Sequence, residues 1–397
     1  MRILPEILDS KEEIQEIRRD IHAYPELMFE EVRTAKVIAD QLKAWGIEVH
    51  TGLGKTGVVG VIKGTLGAGK SIGLRADIDA LPLAEHNVFS HASKNQGRMH
   101  ACGHDGHTAM LLGAAKYLTN HREFKGTVNL IFQPAEEGGG GAREMMRDGL
   151  FEKFPCDAVF GLHNWPGMPA GHFGITPGPM MASSNEFKIT VRGRGAHAAL
   201  PHNGADPIIA ASQLVGALQN IITRHKRPID QAVLSITQFH GGFTSNVIPD
   251  EAWIAGTVRT FTVPVLDLIE TRMRIIANSI TAAFDCSAEV EFERNYPPLI
   301  NHEKESAFAT KVMQSLAGEQ RVTANLEPTM GSEDFAFMLE KVPGCYVFLG
   351  NGDGDHRSMG HGLGPCNLHN PSYDFNDELI PIGINYWVNL SMAFLAD

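Results

Sequence analysis

The stretch TVNLIFQPAEEGGGG, residues 127–141, decides the fold. It begins with an apolar run of strand length, then turns through Gln-Pro-Ala into two adjacent carboxylates, Glu136 and Glu137. Similar apolar runs recur at 57–62, 71–76 and 156–162. Helical stretches separate some of these runs, and strands that alternate with helices predict an α/β fold with a sheet covered on both faces.

Polar side chains follow three of these strands, at the point where each strand ends. Asp77 and Asp79 follow the run at 71–76, the Glu pair follows the run at 127–132, and His163 follows the run at 156–162. In open α/β sheets the ligand crevice lies beyond the carboxyl ends of the strands. We therefore expect three strand ends to deliver polar side chains to one rim.

The run HACGHDGH, residues 100–107, adds a thiol and imidazoles to this set. Cys102 and His104 are two residues apart, so on an extended chain they face the same way. Thiolate, imidazole and carboxylate together are typical ligands of zinc, nickel, cobalt or manganese. Taken alone, the pair could also be a buried thiol beside a surface histidine.

The adjacent carboxylates suggest how such a metal would be used. Neighbouring side chains diverge, so Glu136 and Glu137 are expected to have different roles. One can bind metal, and the other can accept a proton from metal-bound water, whose pKa falls toward about 7. A solvated acidic turn is the alternative, but this pair follows a strand of buried type. The pattern favours a metal-dependent hydrolase.

The hydrophobic pattern changes from about Ser184, where Phe187, Ile189 and Val191 alternate with polar residues as in a half-buried strand. The order of elements up to 295 is β-α-β-β-α-β, that of a ferredoxin-like unit, whose sheet edge would be a natural dimer contact. We predict an inserted lid and dimerisation domain, 184–295, within a catalytic α/β domain formed by 1–183 and 296–397 around a central mixed sheet.

Composition limits the possible partners. The 397-residue chain is 43% hydrophobic and 20% charged, with a net charge of −12. Nucleic acid and anionic membrane surfaces would require clustered basic residues, so neither is expected as a partner. Five scattered cysteines do not form a disulfide framework, which favours a reducing, cytoplasmic location. The N-terminus becomes acidic too soon for a signal peptide, and no apolar run approaches the roughly 18 residues of a membrane span.

Taken together, the motifs resemble the hippurate hydrolase branch of the aminoacylase/carboxypeptidase metallopeptidases, which includes N-acyl amino acid amidohydrolases. The match runs from RDIHAYPE (19–26) to YDFND (373–377), essentially the whole chain. The motifs that carry it are RADIDALP (75–82), MHACGHDGH (99–107), QPAEEG (133–138), GAHAALPH (195–202), TSNVIPD (244–250) and MGSEDF (330–335).

The resemblance implies an amidohydrolase that uses two divalent metal ions, of zinc, manganese, nickel or cobalt, to cleave small N-acyl amino acids. The implied metal ligands are Cys102, His104, Glu137, His163 and His369. Glu136 is the implied general base. His197 is implied to stabilise the oxyanion from the lid domain, in the active site of the partner subunit of a homodimer or homotetramer.

The resemblance also implies substrate contacts. Asn246 and Arg259 match the positions where relatives hold the substrate carboxylate, and Gly331 and Ser332 match a substrate-lining loop. Many relatives carry a metal-binding histidine two residues before an aspartate, where this chain has Asp77 and Asp79. These two aspartates are therefore expected to orient metal ligands rather than to bind metal.

Other interpretations of the sequence remain open. Cys102 could be a nucleophile beside a histidine, although that role leaves Glu137 and His163 unexplained. The scaffold could bind a metal or ligand without catalysis, or the enzyme could be a dipeptidase or carboxypeptidase on the same metal site. His356 and His361, in the glycine-rich stretch 350–366, are expected at a pocket mouth or in a mobile loop, and not as ligands.

Overall fold

The computed structural model describes residues 3–357 and 359–396. The helices are α1 (Pro5–Asp9), α2 (Lys11–Ala23), α3 (Val32–Ala44), α4 (His104–Asn120), α5 (Gly141–Arg147), α6 (Leu150–Lys153), α7 (Pro207–Asn220), α8 (Val263–Ala282), α9 (Glu303–Ala317), α10 (Ala336–Leu339) and α11 (Ile380–Ala396). The strands are β1 (Glu48–Leu53), β2 (Gly57–Lys63), β3 (Ser71–Asp77), β4 (Thr127–Gln133), β5 (Ala158–Pro166), β6 (Phe173–Gly174), β7 (Gly178–Met181), β8 (Ser184–Arg192), β9 (Ala196–His197), β10 (Ala232–Gly241), β11 (Val247–Ile248), β12 (Glu251–Thr260), β13 (Ser287–Tyr296), β14 (Leu299–Asn301), β15 (Val322–Thr323) and β16 (Gly344–Gly352).

The described residues divide into two compact units. The larger unit comprises the chain to Gly178, Ile300–Glu327 and the chain from Asp334 onward. Its sheet has the strand order β1-β2-β4-β3-β5-β16-β6-β15. β3 is parallel to β4 and β5, and β5 is parallel to β16, whereas β1 and β2 join antiparallel at one side. The predicted α/β fold with a central mixed sheet is confirmed.

The parallel strands bring their carboxyl ends to one edge of this sheet. β3 and β4 are buried after their first residue, and β5 is buried from Ala158 to Asn164, as their continuous apolar sequences require. Register pairs Asp77 with Gln133, and Arg75 with Gly161. Asp77, the residues after Gln133, and His163 are therefore delivered to the same edge, as the strand pattern predicts.

Helix α11 is the apolar helix of the larger unit. The helical segment Asp377–Ala396 is long and apolar enough to cross a membrane by length and composition, so the expectation that no apolar stretch approaches that length was wrong. However, 67% of its most apolar window is buried within the protein. Since α11 packs against α4 and β3, its apolar surface is explained by its place in the core.

The smaller unit comprises Pro179–Leu299 and Pro328–Glu333. Its sheet has the order β10-β12-β8-β13 with all neighbours antiparallel, and α7 and α8 pack against it. The chain order β8-α7-β10-β12-α8-β13 is that of a ferredoxin-like unit. Phe187, Ile189 and Val191 of β8 are buried in its core, as their alternation predicts. The segment 184–295 lies within this unit.

Candidate metal centre

The side chains predicted as metal ligands converge in the larger unit. Their ligand atoms form two groups of three, each within 4.8 Å of one another, and the two groups share the Cys102 sulfur. One group joins Cys102 to His104 and His163, and the other joins it to Glu137 and His369. These donors come from the start of α4, the turn after β4, strand β5 and the loop before α11. The structure thus brings together residues more than two hundred positions apart in sequence.

Asp79 orients two of these donors at once. His104 places Nδ1 at 2.9 Å from the Asp79 carbonyl and 3.1 Å from the Asp79 carboxylate, so it donates there and leaves Nε2 for other contacts. That Nε2 is buried and has no hydrogen-bond partner among the described residues. The other Asp79 oxygen accepts the backbone N–H of Glu137 at 2.9 Å. Asp79 therefore contacts both the His104 ring and the backbone of Glu137.

His163 is fixed by its own neighbour. Its Nδ1 donates to the Asn164 carbonyl at 2.6 Å, which leaves Nε2 3.4 Å from the Cys102 sulfur. The Asn164 side chain donates to the Cys102 carbonyl at 2.6 Å and accepts the Tyr373 hydroxyl at 2.8 Å. These contacts tie β5 to the Cys102 segment and set the orientation of both donors.

His107 is an orienting residue that the sequence reasoning did not assign. It lies three residues after His104, one turn along α4, and its Nδ1 contacts the Asp77 carboxylate at 2.6 Å. Its Nε2 accepts the Asn164 N–H at 2.9 Å. Both ring nitrogens of His107 thus have protein partners, and one of its ligand atoms lies within 4.8 Å of ligand atoms of Asp77 and His104. Its helical spacing from His104 was a signal that could have placed it here.

Gly103 permits the close approach of these segments. Its φ is +88°, and a Cβ at this position would lie 2.3 Å from the Asn164 amide nitrogen and 2.4 Å from the Tyr373 hydroxyl. Any side chain would therefore displace the contacts that hold His163 and Cys102. The glycine is required both by its left-handed backbone and by the space around it.

The electrostatics of the centre favour a bound cation. Burial, followed by the charges of Glu137 and Glu136, raises the pKa of the Cys102 thiol well above its usual value. For His104, burial lowers the pKa, but the charge of Asp77 and the hydrogen bond and charge of Asp79 outweigh it and raise the pKa to about 10. A cation would offset this excess of buried negative charge and stabilise the thiolate that metal binding needs.

Glu136 lies beside the donor groups and is buried. One of its oxygens lies within 4.8 Å of ligand atoms of His104 and Glu137. The residue before it, Ala135, and the predicted ligand His369 both have left-handed backbones, with φ of +52° and +60°. His369 is tied to the Cys102 segment by its N–H, which donates to the Ala101 carbonyl at 2.8 Å, and its Nε2 lies 3.1 Å from Glu137 Oε1. Non-glycine residues in this conformation are uncommon and cluster at functional sites.

A buried network holds the aspartate behind the histidines. Arg75 donates to Asp77 at 2.8 Å, to the Gln133 side chain at 2.8 Å and to Asp334 at 3.1 Å. Asp334 also accepts the backbone N–H of Ala142, at the start of α5. Burial raises the pKa of the Asp77 carboxyl, but its neighbours His104, His107 and Arg75 outweigh burial and bring that pKa well below its usual value. Asp77 is thus held as a charged acceptor.

A second network lies on the other side of the α4 N-terminus. Fully buried Arg18 contacts Asp105 at 3.1 Å, Asp374 at 3.5 Å and Asp377 at 2.8 Å. His22 contacts Asp105 at 2.9 Å, and although burial lowers the pKa of His22, Asp105 and Glu85 outweigh it and raise that pKa to about 10. The network joins α2, α4 and the segment before α11.

His356 and His361 belong to this second network and to neither donor group. His361 Nε2 lies 2.9 Å from the Asp374 carboxylate, and His356 Nε2 lies 3.2 Å from the Asp374 carbonyl. Both histidines therefore attach the glycine-rich segment 350–366 to the chain that precedes α11.

The remaining predicted residues lie in the smaller unit. His197 of β9 is exposed and pairs in register with Val247 of β11, and the Asn246 carbonyl accepts the Ala198 N–H at 3.0 Å. The His197 ring accepts the Ala199 N–H through Nδ1 at 3.0 Å. Half-buried Arg259 donates to the Ser332 hydroxyl at 2.9 Å, and burial lowers the pKa of its guanidinium. Gly331 precedes this serine.

The chemistry open to the larger unit follows from its donor atoms. A buried thiol, three imidazoles and a carboxylate fit borderline divalent metals. The Nε2 of His104 makes no hydrogen bond to the described residues and lies 3.8 Å from the Asp77 carboxylate, a position that fits a metal ligand. Glu136, a further carboxylate beside these donors, is placed to accept a proton from a metal-activated water. Such a centre defines a metal-dependent hydrolase.

Comparison with known proteins identifies the family. The chain belongs to peptidase family M20/M25/M40, whose model matches residues 73–393. It is therefore a metal-dependent amidohydrolase, and the resemblance drawn from its motifs is confirmed.

Three relatives illustrate the match. The hippurate hydrolase of Campylobacter jejuni is 44% identical over 395 residues, which cover 100% of both chains. The thermostable carboxypeptidase 1 of Saccharolobus solfataricus is 41% identical over 342 residues, 85% of each chain. The crystal structure of a dinuclear metal-binding peptidase of the M20 family from Bacillus subtilis has a TM-score of 0.84 and 36% identity, and covers 98% of this chain and 99% of that one.

Proposed function

We propose that this enzyme hydrolyses the amide bond of N-acyl amino acids, giving a carboxylic acid and a free amino acid. The observation that carries the proposal is the pair of donor groups that share Cys102, with Glu136 beside them. Two overlapping groups suit two divalent ions, held by Cys102, His104, Glu137, His163 and His369. Zinc, manganese, nickel and cobalt are all compatible with this mixture of ligands.

The metals, when bound, would supply an acidified water and polarise the scissile carbonyl. Glu136 takes the proton of the attacking water and returns it to the leaving amine, so it must alternate between charged and neutral forms. Its position beside Glu137 and His104 supports this role, because a general base must lie close to the proton that it accepts. Asp79 and Asp77 hold the histidines in the orientation that this arrangement needs.

The substrate contacts are assigned to the smaller unit. Arg259 uses one nitrogen on the Ser332 hydroxyl and retains other N–H groups suited to a substrate carboxylate. Asn246 and Gly331 would line the same substrate. His197, held through Nδ1, would present its other nitrogen to the developing oxyanion, in trans within a homodimer or homotetramer.

A second copy of the chain is the partner that the smaller unit supports. It carries several exposed, large apolar side chains: Leu200, Ile209, Phe239, Phe243 and Val247. Association with a second copy would remove such apolar side chains from water, which is favourable. All five cysteines of the chain are free, which supports the cytoplasm as the location.

A dipeptidase or carboxypeptidase activity is the second candidate. It is favoured by the 41% identity to the thermostable carboxypeptidase 1, as acyl hydrolysis is favoured by the 44% identity to the hippurate hydrolase. Both reactions would use the same metals and the same base. The two substrates differ in the acyl group on the amide nitrogen. In an N-acyl amino acid it is a simple acyl group, whereas in a peptide it belongs to an amino acid.

The test is a panel of benzoyl- and acetyl-amino acids and dipeptides, assayed by mass spectrometry with purified enzyme resupplied with Zn²⁺, Mn²⁺, Ni²⁺ or Co²⁺. Cleavage of acyl conjugates supports the proposal, whereas cleavage of dipeptides alone replaces it with the peptidase. Glu136→Gln should remove turnover and retain metal, measured by metal analysis after desalting. An E136Q variant within tenfold of the wild-type kcat would refute the base assignment.

A further inference from the structure

Glu31 is a buried carboxylate to which the proposed reaction gives no role. It has 0% exposure and lies in the loop between α2 and α3. One oxygen accepts the backbone N–H of Ala135 at 2.9 Å, and the other accepts the Thr56 hydroxyl at 2.6 Å. No lysine, arginine or histidine within the described ranges pairs with it. A buried charge without a cation is costly, so we expect the two hydrogen bonds of Glu31 to serve a structural purpose that offsets this cost.

Capping of the following helix is not that purpose. Glu31 is the residue before α3, yet its side chain makes no hydrogen bond to the first turn of that helix. Glu26 does so instead, since it accepts the N–H groups of Arg33 at 3.0 Å and Thr34 at 2.8 Å. The Glu31 carboxylate is directed away from its own helix, toward the turn after β4.

The residue that it contacts is strained. Ala135 has a φ of +52°, a left-handed conformation that costs a non-glycine residue roughly 1 kcal/mol. Its N–H is held by Glu31, and its carbonyl accepts the Gly141 N–H at 3.1 Å. Ala135 is followed directly by Glu136 and Glu137, so its backbone angles set the direction of both side chains.

We infer that Glu31 is a positioning residue, which holds Ala135 in the left-handed conformation and thereby aims Glu136 at the reacting water. The inference rests on the proposed function, in which Glu136 is the base. Thr56 fixes the second oxygen of Glu31, so the carboxylate cannot turn away from the Ala135 N–H. Burial raises the pKa of Glu31 to about 7, so the charged carboxylate is held here at an energetic cost. Groups held at such a cost are often functional.

The experiment compares Glu31→Leu, Ala135→Gly and the double variant, each loaded with the metal that supports wild-type activity. Leucine is similar in size but cannot accept the Ala135 N–H, so in E31L we expect kcat to fall about tenfold or more, because small displacements of a catalytic group are costly. KM should stay within about twofold, and the metal content should be unchanged, because substrate and metal binding are not what Glu31 controls. Glycine adopts positive φ without strain, so Ala135→Gly in the E31L background should restore kcat by roughly threefold or more.

Glu26→Leu is the matched control, since it alters a carboxylate of the same loop that does not contact Ala135. It should retain wild-type kcat. If E31L does not fold, Glu31→Asp keeps the charge but shortens the reach to both partners, and it is measured in the same way. A folded, metal-loaded E31L or E31D with kcat within twofold of wild type overturns the inference, and so does a double variant that glycine does not rescue.

Glu136→Gln, assayed beside these variants, separates the two possible failures. An active E136Q would overturn the base assignment and with it the proposed function. An inactive E136Q beside an unimpaired E31L would overturn the role of Glu31 alone.

Discussion

Asp79 provides a quantitative test of how the metal centre is held. Its two side-chain oxygens bind the Glu137 N–H at 2.9 Å and His104 Nδ1 at 3.1 Å. Asp79→Ala removes both hydrogen bonds while leaving every proposed ligand in place. At a net value of about 1 kcal/mol each, the loss is about 2 kcal/mol, or roughly 30-fold in metal affinity. This lies within the 10–100-fold range typical of groups that orient metal ligands.

The assay is competition for Zn²⁺ between the protein and a chromophoric chelator, followed by kcat at saturating metal. Asp79→Asn retains one acceptor oxygen, so its affinity should fall by about half the free energy, roughly fivefold. Asp157 supplies the control, because it accepts the Ser71 N–H at 2.7 Å, at the opposite end of β3. Asp157→Ala should leave metal affinity unchanged. An Asp79→Ala protein that binds Zn²⁺ within twofold of wild type would show that the reasoning is wrong.

Three further predictions concern the charges behind the centre and the metal itself. Arg18→Leu removes the buried cation that contacts Asp105, Asp374 and Asp377, and it should lower the free energy of unfolding by about 3–5 kcal/mol in urea titrations. Arg33→Leu, which breaks a partly exposed ion pair, should lower it by about 1 kcal/mol or less. The folded-state pKa of His22 is raised to about 10. Protonated His22 therefore stabilises the folded protein fully below about pH 6.5, and this contribution is lost as the pH rises toward 10. His22→Gln should therefore flatten the wild-type decline in unfolding free energy between these pH values, and an unchanged slope would contradict the assignment. Chelation should abolish activity, and resupplied divalent metal should restore it; activity that survives chelation and desalting would contradict a metal-dependent reaction.

The sequence predicts the rim of the sheet because strand ends are local features. Apolar runs mark β3, β4 and β5 in the sequence. Because these strands are parallel, the residues at or just after their carboxyl ends, such as Asp79 and His163, lie at the same edge of the sheet. The alternating pattern of β8 likewise identifies the half-buried sheet of the smaller unit. Short-range periodicity was sufficient for these predictions.

Contacts between distant segments could not be predicted in this way. The link from Glu31 to Ala135 spans 104 positions, and the link from Arg75 to Asp334 spans 259, with no periodic signal at either end. The apolar stretch of α11 was overlooked because proline, glycine and asparagine interrupt it in the sequence. A helix can bury an apolar face without an unbroken run of apolar residues along the chain. The left-handed backbone of His369 is likewise a property of the folded loop.

The central place of β16 bears on how the protein is made in the cell. This strand lies between β5 and β6, although it is synthesised long after both, and His369 emerges later still. At usual translation speeds the delay after β5 is roughly 10–40 s, during which one edge of an apolar parallel strand has no neighbour. The nascent chain is thus a natural client for chaperones. The complete set of proposed donors can therefore bind metal only after the chain has been synthesised through His369.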